Sequence, residues 1–370
     1  MIKRSSISEI KNTLKNIKTR PPKSNMDIRI SSTALDFSSS LNLIKRKQIT
    51  DYGIPVRSLA MKDLYCLHAK SQIENLSRKI HRTPDKYLSY KEEYGISIPS
   101  GGFCRTIKKH YVPYFRMAYA AASVLRSYGC DWPIEFWCLP NEYDELSQYK
   151  DIVSDIGGVI RVADISEMRC PFGWQLKIHA IRNSNFRNVL HLDADNICAR
   201  NPSVLKDSQE FKKHGAIFWS NMDYKNDFSI WLQHVSNKVW KSVGIDRDTE
   251  ITFETGQIFV DKVRHSVALE MVQYFSDYSE FWGGFCGMSL QNKPMWYGDT
   301  HDFHVGFVSM KADYLQIPYN SWNSAGFFEH LGPDGELLFQ HCCQAKLQIL
   351  SGGVKNISCN DVLRRVSSIW

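Results

Sequence analysis

The spacing of hydrophobic positions changes character along the chain. In residues 1–25, Ile7, Ile10, Leu14 and Ile17 recur at intervals of three, four and three, with lysines between them. This predicts a basic helix with one apolar stripe, ended by Pro21-Pro22. Residues 26–60 are rich in Ser and read as irregular linker. Leu64, Leu67, Ile73, Leu76 and Ile80 restore a helical period over 60–82, so a bracing helix precedes the main domain.

From residue 95 short apolar runs alternate with helical patterns. Gly95–Ile98, Pro133–Cys138, Gly158–Val162 and Asn188–Leu192 read as strands. Pro113–Tyr128 and Gln175–Asn183 read as helices, the first bringing Ala118, Ala121, Ala122 and Leu125 onto one face. Continuous apolar strands separated by helices predict an α/β fold with a mostly parallel sheet covered on both faces. Ligands on such sheets bind beyond the carboxyl ends of the strands. At that edge stand the turn Pro99-Ser100-Gly101-Gly102 and, straight after a buried strand, Asp193-Ala194-Asp195.

Composition alters this picture in three places. With 370 residues, 43% hydrophobic and 23% charged, the chain has ample material for a core and is not a disordered polymer. Its net charge of +7 points to a polyanionic partner until the charge is located. The first 50 residues carry eleven basic and three acidic side chains, a net of +8, which leaves −1 for the other 320. The charge therefore belongs to an arm that resembles a helix lying on an anionic membrane. The ten cysteines contain no C-x-x-C pair and no zinc-type spacing, as expected of a reduced cytoplasmic protein. The longest apolar run, Met117–Leu125, lies between Arg116 and Arg126 and is too short for a bilayer span. No secretory signal is evident at the N-terminus.

Two carboxylates separated by one small residue at a strand end can approach the same hard cation. Mg²⁺ and Mn²⁺ take such oxygens and share them with substrate phosphates. A D-x-D pair alone carries little information; the apolar strand before Asp193 and Asn201-Pro202 after Asp195 add more. His301-Asp302-Phe303-His304 brings two imidazoles close in sequence, but no third soft ligand follows at a useful spacing, which argues against zinc. Trp219, Trp231, Trp296 and Trp322 offer aromatic faces for sugar rings or for the core.

At this point the residues carry a resemblance. Gln175-Leu176-Lys177, then Val189-Leu190-His191-Leu192-Asp193-Ala194-Asp195-Asn196, then Asn201-Pro202-Ser203-Val204-Leu205, resemble nucleotide-sugar glycosyltransferases of the GT-A type. More narrowly they are similar to the fungal Mnn-type α-mannosyltransferases (glycosyltransferase family 71) and their bacterial relatives. Gly215–Trp219, then Phe253–Lys262 with Glu254-Thr255-Gly256-Gln257 against the family's E-S-G-Q, follow in the same order. Trp296-Tyr297-Gly298-Asp299 and Phe339-Gln340-His341 complete the set, which covers roughly residues 95–345 and omits the arm.

The resemblance implies a GT-A-type nucleotide-sugar-binding fold with a mostly parallel central sheet flanked by helices, plus an N-terminal helical extension. It implies a metal-dependent, retaining transfer of a hexose, mannose favoured, from a nucleotide sugar to a glycan hydroxyl. Asp193, Asp195 and His341 would hold Mn²⁺ or Mg²⁺; Lys177, Asp193, Gly101 and Gly256 would meet the donor; Asp299, Glu254 and Gln257 would stand at the reacting sugar. GDP-mannose is the favoured donor, with a UDP-sugar as the other option. The chain departs from the family after Asp299, where Thr300-His301-Asp302 leaves open whether Asp299 or Asp302 faces the anomeric carbon.

Fungal relatives carry an N-terminal membrane anchor that is missing here, so the expectation is a cytoplasmic enzyme touching the inner face of an anionic membrane through residues 1–25. The expected divisions are the arm 1–25, linker and bracing helix 26–85, glycosyltransferase domain 86–350 and tail 351–370. The rival readings are a decayed glycan- or nucleotide-binding protein and, from the arm, a nucleic-acid-binding protein; the expected partners are a donor and a glycan, with no nucleic acid.

Overall fold

The computed structural model describes residues 59–79, 83–101, 103–106, 110–169, 174–222, 234–279, 281–282, 295–296, 298–318, 321–323, 327–342, 349 and 360–367. The basic arm and the linker up to residue 58 lie outside them. Among the described residues fifteen strands follow in chain order: β1 Glu92–Pro99, β2 Phe103–Thr106, β3 His110–Pro113, β4 Ile134–Cys138, β5 Gly158–Val162, β6 Phe186–Leu192, β7 Asn196–Cys198 and β8 Ala216–Ser220. The others are β9 His234–Val235, β10 Glu250–Ile251, β11 Phe253–Asp261, β12 Leu315–Ile317, β13 Ser321–Asn323, β14 Phe327–Leu331 and β15 Leu337–His341.

Seven of these strands form the central sheet in the order β12-β8-β11-β6-β1-β4-β5. Every pairing is parallel except those of β11, which runs antiparallel to both β6 and β8. The mixed α/β fold with a mostly parallel sheet matches the GT-A expectation. Because β11 is reversed, its first half lies at the same edge as the carboxyl ends of its parallel neighbours, with Gln257 paired to Leu192. All nine residues of β11 are buried, which explains why its sequence reads as one apolar run broken only by Glu254-Thr255-Gly256-Gln257.

The helix Tyr114–Ser127 buries Ala118, Ala121, Ala122 and Leu125 as predicted. Three small side chains let it lie close to the sheet, while Leu363 and Val366 of the helix Asn360–Ser367 join the same core. Arg126 ends the first helix by donating to the carbonyls of Cys130, Trp132 and Ile156. On this side of the sheet Phe259 stacks on Phe211 at 4.0 Å and on Trp132 at 5.8 Å. Truncating such a ring to Ala costs about 3–5 kcal/mol.

The other face is covered by Gln175–Asn183, Ser266–Asp277 and Asp299–Ser309, with the helix Leu59–Ser77 packed outside them. The last is the expected helix: Leu64, Ile73 and Leu76 pack against the core, Tyr65, His68 and Ala69 are buried beside them, and Leu67 is 53% exposed. Tyr65 stacks on Phe281 and His68 meets Tyr274 edge-on. Among the described residues no helix is long and apolar enough to cross a membrane.

A second sheet, β13-β14-β15-β7, is antiparallel throughout. Its edge strand β7 leaves the central sheet immediately after Asp195, and His341 of β15 pairs with Asn196. This junction, nearly 150 residues apart in sequence, brings a late histidine to the early acids.

Candidate active site

Asp193 stands just beyond the end of β6, where its backbone N–H donates to the carbonyl of Gly256 at 2.8 Å. Asn196 N–H closes the short turn by donating to the Asp193 carbonyl, and its side-chain amide donates to Gly256 O and Gln257 Oε1. Cys342 N–H donates to Asp195 O at 2.8 Å, so the second sheet clamps the turn from the other side. Asp195 is buried, and Asp193 keeps one edge open.

His341 Nε2 lies 3.4 Å from Asp195 Oδ1 and 3.9 Å from Asp193 Oδ2. One ligand atom from each of these three residues can be chosen so that all lie within 4.8 Å of one another. Two carboxylates and one imidazole suit a divalent ion. The open edge of Asp193 leaves room for oxygens from a substrate.

Lys177 projects from the helix Gln175–Asn183, where residues 175–182 are all buried. Its ammonium lies 2.6 Å from Asp299 Oδ2 and 3.0 Å from Asp193 Oδ1, and donates to Thr255 O at 2.8 Å. Burial by itself would pull the amine down, but the charges of Asp193 and Asp299 outweigh it and hold the amine above the usual lysine range. Asp193 responds in kind. Burial works to raise its carboxyl, while Lys177, then His191, hold it well below the usual carboxylate range.

Lys177, expected at the donor phosphates, thus directs its ammonium to two carboxylates and the Thr255 carbonyl. His191 is held below its ordinary value by burial and stands with Nε2 3.3 Å from Asp193 Oδ1. Neither Thr255 nor His191 was singled out from the sequence. A signal for His191 existed, since it precedes Asp193 by two where the strand ends and so tends toward the same face; Thr255 had none.

Asp299 opens the helix Asp299–Ser309 after Gly298, whose φ of 70° and ψ of −168° suit a glycine. It also accepts from Thr255 Oγ1 at 3.1 Å. Asp302, one turn on, is buried and accepts the indole N–H of Trp296 at 2.8 Å. Of the two acids left open by the sequence, Asp299 is therefore the one that reaches the Lys177–Asp193 cluster. His301 reaches the carbonyl of His234, while His304 lies 3.5 Å from Glu250; the two contact different groups.

The expected glycines are tight for reasons inside the protein. A side chain at Gly101 would run into the carboxylate of Glu142, and one at Gly256 into the ring of His341 and the carboxylate of Glu254. Glu254 is buried, accepts the Gly256 N–H at 2.7 Å and lies 3.2 Å from His341 Nδ1. Burial works to raise its carboxyl, but His341 outweighs it and the net shift is downward. Gln257 is fully buried and accepts from Asn196, while its Nε2 has no hydrogen bond among the described residues. Trp219 and Trp296 are wholly buried, so they serve the core and not a sugar face. Trp231 and the side chain of Trp322 lie outside the described residues.

Residues 102–238 match the family model described as "Mannosyltransferase putative". The chain is 21% identical over 224 residues to the α-1,2-mannosyltransferase MNN2 of Candida albicans, covering 56% of this chain and 34% of that protein. It is 21% identical over 379 residues to MNN5 of Saccharomyces cerevisiae, covering 88% of this chain and 63% of the relative. The chain thus spans less than two thirds of the length of these relatives. The galactosyltransferase LgtC, solved with donor and acceptor sugar analogs, aligns with a TM-score of 0.42 at 14% identity, covering 74% of this chain and 95% of that one. By sequence, the chain resembles the fungal Mnn-type α-mannosyltransferases, and its central sheet is mixed and mostly parallel.

Proposed function

We propose that the protein is a divalent-metal-dependent, retaining glycosyltransferase that moves a hexose, mannose favoured, from a nucleotide sugar to a glycan hydroxyl. The observation that carries this reading is the convergence of Asp193, Asp195 and His341 at the sheet's carboxyl edge. Charge supports it. Among the described residues, Asp193, Asp195, Glu254 and Asp299 set four carboxylates against the ammonium of Lys177. A nucleoside diphosphate entering so negative a pocket would be repelled unless a dication accompanied it.

When bound, the ion would neutralise the charge that develops on the departing diphosphate. The chain's own residues do the rest. Lys177 holds the Asp193 carboxyl below its usual range and fixes Asp193 and Asp299 in place, and Asn196 pins the turn that carries both metal-binding acids. Asp299 has Oδ2 committed to Lys177 and Thr255, and the depressed Asp193 carboxyl is a weak base. By the family resemblance, the proton of the acceptor hydroxyl is assigned to the departing phosphate as the sugar's bond to phosphate breaks and its bond to the acceptor oxygen forms. Retention follows the family resemblance.

GDP-mannose is the proposed donor, and the basic residues 1–25 support peripheral attachment to the cytoplasmic face of an anionic membrane. Metal-stripped protein given Mn²⁺ and a panel of nucleotide sugars should release GDP from GDP-mannose. Undiminished release in excess chelator would refute the metal assignment, UDP release alone would refute the donor, and no release at all would favour a decayed binding protein. Loss of co-sedimentation with anionic vesicles on deleting 1–25 is the expected result for the arm; unchanged sedimentation would remove it.

A further inference from the structure

We propose that Glu254 is a positioning residue that acts through His341: its carboxylate accepts the Nδ1–H of the imidazole and presents the bare Nε2 to the Asp193–Asp195 carboxylates. The inference rests on the metal-site reading above and reassigns a residue that the sequence had placed against the sugar. Three observations converge on it. Glu254 Oε1 lies 3.2 Å from Nδ1, an ion-pair contact in this structure, while Asp195 Oδ1 lies 3.4 Å from the ring's other nitrogen, Nε2. The same Oε1 accepts the Gly256 N–H at 2.7 Å, so the backbone fixes the carboxylate as firmly as the carboxylate fixes the ring. Glycine at 256 is itself part of the arrangement, because a Cβ there would occupy the space of the imidazole and of Glu254.

The chemistry follows from the ring. A neutral imidazole has one N–H and one lone pair, and only the lone pair binds a metal. An acceptor at Nδ1 selects the tautomer whose Nε2 is bare, orients the ring and raises its basicity. Local sequence spacing alone assigns Glu254 no partner, since β11 and β15 belong to different sheets. A sugar-binding role would need the carboxylate to face the donor; here it is 7% exposed and already meets two partners inside the protein.

The test is Mn²⁺ binding to the metal-stripped full chain without donor, followed by the paramagnetic resonance signal of free Mn²⁺. Glu254→Ala should weaken binding by about 10–100-fold, as outer partners of ligating histidines generally do. Glu254→Gln, which keeps an acceptor oxygen, should lose less. On a His341→Ala background, Glu254→Ala and Glu254→Gln should each cost nothing further, because the residue acts through the missing ring. Should Glu254→Ala fail to fold, judged by its near-ultraviolet circular dichroism, Glu254→Gln on the two backgrounds carries the comparison. Equal losses with and without His341, or unchanged Mn²⁺ affinity in the folded Glu254 variants, would overturn the proposal while leaving the metal site standing. Absence of Mn²⁺ binding by the wild-type chain would overturn both.

Discussion

Replacing Lys177 by Met removes one charge and keeps most of the side chain's volume. Lys177 is 5% exposed and sits between Asp299 at 2.6 Å and Asp193 at 3.0 Å. Breaking a buried ion pair by deleting one partner costs about 3–5 kcal/mol, because the remaining charge is left uncompensated. Two carboxylates are stranded here, but Asp193 is 27% exposed and Asp299 13%, which argues for the lower end of that range.

The pH dependence distinguishes this account from simple loss of packing. In the wild type Asp193 is depressed, so its stabilisation is present above its unfolded value of about 4 and is lost only as pH falls through the lower folded value. Without Lys177, burial pushes Asp193 upward, and it can escape repulsion from Asp299 by taking up a proton in mild acid. The deficit of Lys177→Met should therefore be largest near about pH 7 and shrink toward about pH 5. Urea unfolding of metal-stripped protein at both pH values measures it. A deficit below about 1 kcal/mol at neutral pH, or one independent of pH, would refute the assignment of Lys177 as the internal counter-charge.

Two other substitutions probe the same site. Asp195→Asn should lower Mn²⁺-dependent donor turnover by at least about 100-fold, while the melting temperature stays the same or rises because one carboxylate leaves a negative pocket; turnover near wild type would remove Asp195 from the metal set. Gly256→Ala should cost about 1–3 kcal/mol through overpacking against His341 and should weaken Mn²⁺ binding in parallel. Wild-type Mn²⁺ affinity in that variant would mean that the ring of His341 does not need its observed position.

Much of this protein can be read from its local sequence. The helix Gln175–Asn183 and the strands around 95–98, 134–138, 158–162 and 186–192 declare themselves by periodicity, because burial on a sheet or helix face leaves a local trace. The strand before Asp193 likewise places two acids at the ligand-binding edge without any long-range information. The ordered set of motifs from Gln175 to His341 carries the family resemblance, again as a one-dimensional pattern. What it leaves undetermined is which polar side chains meet. Lys177 looks like an ordinary helix lysine until the helix is found to be buried, and only then do Asp193, Thr255 and Asp299 become its partners. Asp299 and Asp302 are equivalent on paper; packing ties one to Lys177 and the other to Trp296. Glu254 and His341 meet because the antiparallel strand β11 delivers one to the edge of the first sheet while the pairing of β15 with β7 delivers the other from the second. Periodicity records which side of an element faces inward, whereas charge pairing across 87 residues of chain depends on strand order and register, which no local pattern encodes.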